Sequence, residues 1–298
     1  MDLTLLRAFA TVARLGNLTR AAAQLHLTQP AVSLQIKNLQ ETLGIALFTR
    51  TSHGLMLTRD GQALLPHAER ALAAADDVER AAAALRQEVR GRLRIGTILD
   101  PAFLRLGGFL KQLVETFPQI EPALKHSMSG SVLEQVRAGE LDVGYYIGQT
   151  VDDGLPEGLF HVAMLTRFQY RVLAPAGWKE RIGASPDWRS LAALPWIWTP
   201  PASAHHRLLS RVFAEAGAHP VKVAEVDQET SMLDLVKSGV GLTLARDAIA
   251  LDEAHTHALT IVEGVTVPTE LTFVALAARM HEPTIAAAFK LIESQWAL

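Results

Sequence analysis

The sequence predicts an α/β protein with an all-α head at its N-terminus, and three observations lead there. Residues 1–60 hold three short amphipathic stretches followed by two β-like runs. Residues 64–89 repeat apolar positions in steps of four and three. Beyond Gly91, strand-like and helix-like patterns alternate to the C-terminus. A chain of 298 residues suits two or three domains, each able to bury its own core. Hydrophobic residues make up 49% and charged residues 20%, a balance that excludes an intrinsically disordered chain. The absence of cysteine excludes disulfides, thiolate metal sites and cysteine nucleophiles, and fits a reducing compartment. The first residues carry Asp2, Arg7 and Arg14 inside their apolar pattern, unlike a leader, and no apolar run reaches the roughly 18 residues of a membrane helix. The expected location is the cytoplasm, with no membrane partner.

In the first stretch Leu6, Phe9, Ala10 and Ala13 share one face, and Gly16 stops the helix. Thr19 is the expected N-cap of a second helix, where Ala21 and Ala22 keep one side small enough for another helix to cross and Leu25 anchors the end. A third helix begins at Thr28 or Gln29, with Pro30 in its first turn where a missing N–H costs little. Along it Val32, Ile36, Leu39 and Leu43 form an apolar stripe. Gln29, Ser33, Lys37 and Gln40 form the adjacent polar one. That polar stripe is either an ordinary solvated face or a surface for base edges and phosphates. Gln and Ser beside a helix N-terminus favour the second reading, because solvated faces more often carry Glu–Lys pairs. The two β-like runs around Ser52-His53-Gly54 read as a wing flanked by Arg50 and Arg59, residues suited to phosphates or the minor groove. Charge agrees: residues 1–59 hold six cationic side chains against two acidic ones, or +4, which leaves −7 on the rest of a chain whose total is −3.

Residues 9–61 resemble the LysR-type transcriptional regulators along their whole length. The resemblance lies in Arg20-Ala21-Ala22, Thr28-Gln29-Pro30-Ala31-Val32-Ser33, the Ile36-Leu39-Leu43-Gly44 framework, Leu47-Phe48-Arg50, and Leu57-Thr58 before Gly61. It implies a winged helix-turn-helix that binds double-stranded promoter DNA. Gln29, Pro30 and Ser33 would read or closely approach bases, with Thr19, Arg20, Thr28, Lys37, Arg50 and Arg59 on the backbone. Leu34 departs from the family, which often has a polar or basic residue there, so operator sequence does not carry over. The resemblance further implies a ligand-responsive activator or dual regulator, with RNA polymerase as a further partner.

Leu64, Ala68, Ala71, Ala75, Val78, Ala82, Leu85 and Val89 make a heptad seam ending before Gly91. It reads as a linker helix over 60–90, disturbed near Pro66, which forms a homodimer through residues 64–89. The alternative is a helix lying on its own domain. The resemblance implies the dimer, commonly assembled into a homotetramer.

Residues 91–298 read as an α/β body, and the resemblance implies a two-lobed, periplasmic-binding-protein-like effector domain. Lobe I would span about 91–163 and 266–298, and lobe II about 164–265. Ligands in such lobes sit at strand carboxyl ends and helix N-termini. That rule selects Leu99, Asp100, Ser127, Met128, Ser129, Thr199, Ser203, Gln228 and Thr230. Asp100 and Ser129 are equally well explained as helix caps. An ionised Asp100 facing the cleft would disfavour anionic effectors and favour neutral or cationic ones. His205-His206 point apart on a helix and have no third ligand at a recognisable spacing. Gly239-Val240-Gly241 follows a helix instead of opening one, unlike a dinucleotide fingerprint. With no nucleophile elbow, P-loop or zinc-protease pattern, neither catalytic residues, a metal nor a cofactor is expected. A solute-binding protein and a small-metabolite enzyme remain the alternatives; the first would need export, the second a catalytic constellation.

Overall fold

A computed structural model describes residues 2–51, 54–85, 89–98, 100–148 and 156–297. The chain divides into two compact units, Met1–Arg86 and Gln87–Leu298.

The first unit is a three-helix head, a hairpin and a long helix. Helix α1 (Leu3–Leu15) is capped by Asp2, whose carboxylate accepts from Thr4 N–H, and it ends at Gly16 in the left-handed region. Helix α2 (Leu18–Gln24) is capped by Asn17, which accepts from the N–H groups of Thr19 and Arg20. Thr19, the expected cap, therefore sits in the first turn, because Asn17 satisfies the free donors from two positions earlier. Helix α3 (Gln29–Leu43) starts at Thr28, with Pro30 in its first turn. Phe9, Val12, Ala21, Ala22, Val32, Ile36, Leu39 and Leu47 bury together as the core. Strands β1 (Phe48–Thr51) and β2 (Gly54–Leu57) form the antiparallel wing.

Helix α4 (Arg59–Leu85) runs past Pro66, which removes one ladder hydrogen bond without ending the helix. Thr58 holds its start: the hydroxyl donates to Ala46 C=O at 2.7 Å and accepts from Gly61 N–H at 2.9 Å. A Cβ on Gly61 would lie 2.2 Å from the Leu47 carbonyl oxygen, so this close crossing requires glycine. The seam is divided between two roles. Leu64, Ala68 and Ala71 pack into the head's own core, while Val78 and Ala82 are exposed.

The second unit is built on a six-stranded sheet in the order β4-β3-β5-β10-β6-β9. Strands β3 (Gly91–Thr97), β4 (Ile120–His126) and β5 (Val143–Ile147) are parallel, connected through α5 (Leu106–Thr116) and α6 (Ser129–Arg137). α5 starts only at Leu106, because 101–105 form a turn. Helix α6 lies so close to the sheet that a Cβ on Gly96 or Gly144 would come within 2.5 or 2.3 Å of Val132 Cγ1.

Strand β6 (Phe160–Ala174) then leaves this lobe, and β10 (Thr260–Leu276) returns antiparallel beside it. Between them lie α7 (Lys179–Ile182), α8 (Trp188–Ala192), β7 (Pro195–Trp198), α9 (Ala204–Glu215), β8 (Val221–Glu225), α10 (Glu229–Lys237), β9 (Thr243–Arg246) and α11 (Asp247–His257). β7 and β8 pair in parallel, and a bridge from Trp196 to Leu242 ties them toward β9. Helix α12 (Pro283–Trp296) packs back on the first lobe beside α5. The body is thus two lobes joined by two long strands.

Candidate functional site

The head presents its candidate residues on consecutive exposed turns. Thr19 and Arg20 are exposed in the first turn of α2; Gln29 and Pro30 are exposed at the start of α3, and Ser33 is half-buried one turn on. Thr28 accepts weakly from Ala31 N–H at 3.4 Å and so caps α3. Lys37 is exposed, with its ammonium 3.6 Å from Glu41. Gln40 does not belong with this surface. Its carboxamide oxygen accepts from Leu47 N–H at 2.7 Å and fixes the entry to the wing. Arg50 lies in β1 opposite Leu55, and Arg59 is exposed at the first residue of α4. The wing turn at 52–53 lies outside the described residues.

In the body, the polar cluster between the lobes centres on Arg246, the last residue of β9. Its side chain is only 7% exposed. Nη2 donates to Asp100 of the first lobe and lies 3.5 Å from Glu229 Oε2 of the second. The guanidinium also lies 4.4 Å from the ring centre of Phe103. From Phe103 a ladder of edge-to-face rings runs through Phe168 and Tyr170 to His205, with centroids 5.1, 5.3 and 4.8 Å apart. Tyr170 stands opposite Arg246 in the β6–β9 pairing, so one strand register brings the ladder and the cation together.

Electrostatics follow from this burial. Burial pushes the His205 imidazole down to about 4, and the nearby Arg246 charge adds to the effect, so the ring is neutral near pH 7. Burial also pushes the Tyr170 phenol up. It raises the Glu229 carboxyl too; Arg246 opposes that rise and the Asp100 charge reinforces it. Asp100 is shifted downward: burial disfavours its charge, but the Phe103 N–H and the Arg246 guanidinium outweigh this. Tyr170 OH, His205 Nε2, Glu229 Oε1 and Arg246 Nε are buried without a hydrogen-bond partner, as is Thr199 Oγ1 on the connection from β7 to α9. Buried polar atoms are nearly always paired, and each unpaired one costs about 1–3 kcal/mol. These five lie on β6, α9, α10, β9 and the β7–α9 connection.

The other sequence-predicted residues divide by what they already bond. Asp100 accepts from Phe103 N–H at 2.7 Å, so it caps the 101–105 turn as well as pairing with Arg246. Ser129 caps nothing; its hydroxyl accepts from Ile147 N–H at 2.9 Å, and Met128 takes the cap position of α6 without a side-chain bond. Ser127 Oγ lies 3.5 Å from Gln135 Nε2. Ser203 is the N-cap of α9, accepting from His205 N–H. Gln228 and Thr230 are exposed on either side of Glu229, the residue that turns inward. Leu99 lies outside the described residues.

His206 diverges from His205. Its Nδ1 lies 3.0 Å from Trp198 Nε1 and 2.8 Å from the Thr199 carbonyl oxygen. Among the described residues no three His, Asp or Glu side chains gather as metal ligands, and no helix is long and apolar enough to cross a membrane.

Sequence reasoning missed Tyr170, His205, Glu229 and Arg246. A signal was available for Arg246, a lone cation closing an apolar run from Gly241, at a strand's carboxyl end. None marked Tyr170, whose partners come from strand pairing across 76 residues. A recess of about 460 Å³ lies beside α9, with Arg167, Arg207, Arg211 and Glu270 in its wall. Arg207 spans the lobes there, donating to the Ile147 carbonyl at 2.7 Å.

A helix-turn-helix head with a wing and a long helix, followed in the chain by a two-lobed α/β body, defines a ligand-sensing transcription regulator. Comparison with known proteins agrees. Residues 3–62 match the bacterial regulatory helix-turn-helix domain of the lysR family, and residues 86–297 match the LysR substrate binding domain. The chain belongs to the LysR family of transcriptional regulators. Relatives include the HTH-type transcriptional regulator IlvR of Caulobacter vibrioides, 32% identical over 82% of both chains. ClcR of Pseudomonas putida is 30% identical over 84% of both. The fold is shared with the LysR family regulator CbnR, at a TM-score of 0.63 and 21% identity over the whole of both chains. CbnR has also been solved with its target DNA, with a TM-score of 0.62 and 22% identity over 99% of both chains.

Proposed function

We propose that this LysR-family regulator works in the cytoplasm as an oligomer on dyad-like promoter DNA, and that a small molecule bound between its lobes controls it. Gln29, Pro30 and Ser33 read or closely approach bases in the major groove. Thr19, Arg20, Thr28, Lys37, Arg50 and Arg59 hold the phosphates. The exposed stretch of α4 around Val78 joins two chains, dimers pair into a tetramer, and RNA polymerase is the further partner. The chain acts as a regulator, not an enzyme.

The observation that carries the sensing role is the Arg246 cluster, where both lobes contribute to one buried group with unpaired polar atoms. An effector that binds one arrangement of the lobes better than another shifts their equilibrium, and through α4 the spacing of the two heads. Asp100 and Thr199 contact it, with Leu99, Ser127 and Met128 at the margin. Ser129 and Ser203 hold the loops, and Gln228 and Thr230 flank Glu229.

Selection of genomic fragments by the purified protein at physiological salt, followed by footprinting, tests this reading. A paired, dyad-like footprint is expected, with half-sites about 10 base pairs or a multiple apart. Failure to enrich any fragment over random DNA, or turnover of a candidate ligand, would overturn it.

A further inference from the structure

The charge and hydrogen-bond inventory of the Arg246 cluster specifies more than a site; it specifies a class of ligand. We infer that the effector is an α-amino acid or a close zwitterionic analogue, with its ammonium on Glu229 and Asp100 and its carboxylate on Arg246 Nε. The inference rests on the cleft being the effector site, as proposed above.

Charge comes first. Arg246 and Arg207 face Asp100 and Glu229 around the Tyr170 phenol, His205 is neutral, and the charges of the cluster balance. A purely anionic or purely cationic ligand adds an uncompensated charge in a place where water is largely excluded, which is costly. A zwitterion adds none. Glu229 Oε1, buried and unpartnered, is an acceptor suited to its ammonium.

A simple amine would satisfy that end alone. The remaining unpaired atoms are of the opposite kind: Arg246 Nε is a donor only, and Tyr170 and Thr199 hydroxyls can each donate. Unpaired donors call for a ligand acceptor, and a carboxylate offers about four lone-pair sites. An unpaired donor on Arg246 and an unpaired acceptor on the neighbouring Glu229 match the two ends of a zwitterion. Phe103 and Phe168, both only partly buried, leave an aromatic wall for the apolar remainder of the ligand.

Thermal shift and calorimetry on the full-length protein decide the matter with three sets of probes. These are the twenty standard L-amino acids; ethylamine, isobutylamine and phenethylamine; and pyruvate, 2-oxoisovalerate and phenylpyruvate. At least one amino acid should bind at least roughly tenfold more tightly than the amine and the 2-oxo acid of the same side chain. Glu229→Gln should weaken that amino acid roughly tenfold and leave the advantage over the 2-oxo acid largely abolished. Thr199→Val should also weaken it.

If 2-oxo acids bind better than amino acids and Thr199→Val weakens them, the cleft stands and the zwitterion class is wrong. If an amino acid binds but neither substitution affects it, the cleft reading itself fails. If none of the twenty amino acids binds, the class is overturned.

Discussion

His205 has the most measurable consequence among single residues. Unfolded, an imidazole titrates near 6.5; in this fold burial and the Arg246 charge lower it to about 4. The folded chain therefore binds the proton less readily. Its contribution to stability is complete above about pH 6.5 and is lost as pH falls toward 4, on the order of 3 kcal/mol in all. Glu229 works in the opposite sense, because its raised pKa gives stability present at low pH and lost as pH rises. Comparing His205→Gln with the native chain separates the two. Between pH 7.5 and 4.5 the native protein should lose about 2 kcal/mol more unfolding free energy than the variant in urea titrations. Parallel losses would mean that the ring already has a proton partner. In the head, Ser33→Ala should lower affinity for the selected site by about 1–3 kcal/mol and leave random DNA unaffected if the hydroxyl reads a base. Equal losses on both DNAs, measured by fluorescence anisotropy, would reassign Ser33 to the backbone.

Elements differ in how clearly the sequence declares them. The heptad spacing from Leu64 announces a long helix, and α4 is one, yet spacing is silent about which partner each step meets. Its first steps serve the head's own core and leave Val78, 70% exposed, as the largest apolar residue offered outward by the described part of the seam. Val78→Asp should therefore leave the head folded while weakening self-association at least about tenfold in sedimentation velocity. An unchanged oligomer would place the interface elsewhere. The long strands were harder to read. Both β6 and β10 change neighbours along their length, and their buried faces change with them. A strand serving two lobes has no single alternation to detect. Caps were legible in kind and displaced in place: Asn17 replaced Thr19, and Ser203, selected as a ligand contact, also caps α9. Local rules identify residues that want a backbone N–H without fixing which helix supplies it.

At the scale of the whole chain, the order of helical head, seam and α/β body was legible from periodicity, and the family from the motif residues between Phe9 and Gly61. The Arg246 cluster was not. Asp100 and Thr199 were found from strand ends, but Tyr170, His205, Glu229 and Arg246 meet only after β6 and β9 pair. What the sequence does carry over its full length is charge: +4 on the first 59 residues and −7 on the remainder. In the proposed reading the head supplies counterion-releasing contacts through Arg20, Lys37, Arg50 and Arg59, while the acidic body repels the same phosphates. Each phosphate contact steepens the dependence of log K on log salt by about 0.9. Arg50→Ala should therefore flatten that slope by about one unit per head and weaken specific and random DNA alike. Glu229→Gln, far from the head in sequence and part of the sensing cluster, should leave the slope unchanged while altering the response to an effector. Titrations from 50 to about 200 mM salt distinguish these outcomes. A flattened slope for both variants would mean that the acidic body acts on DNA directly and that the two units do not divide binding from sensing.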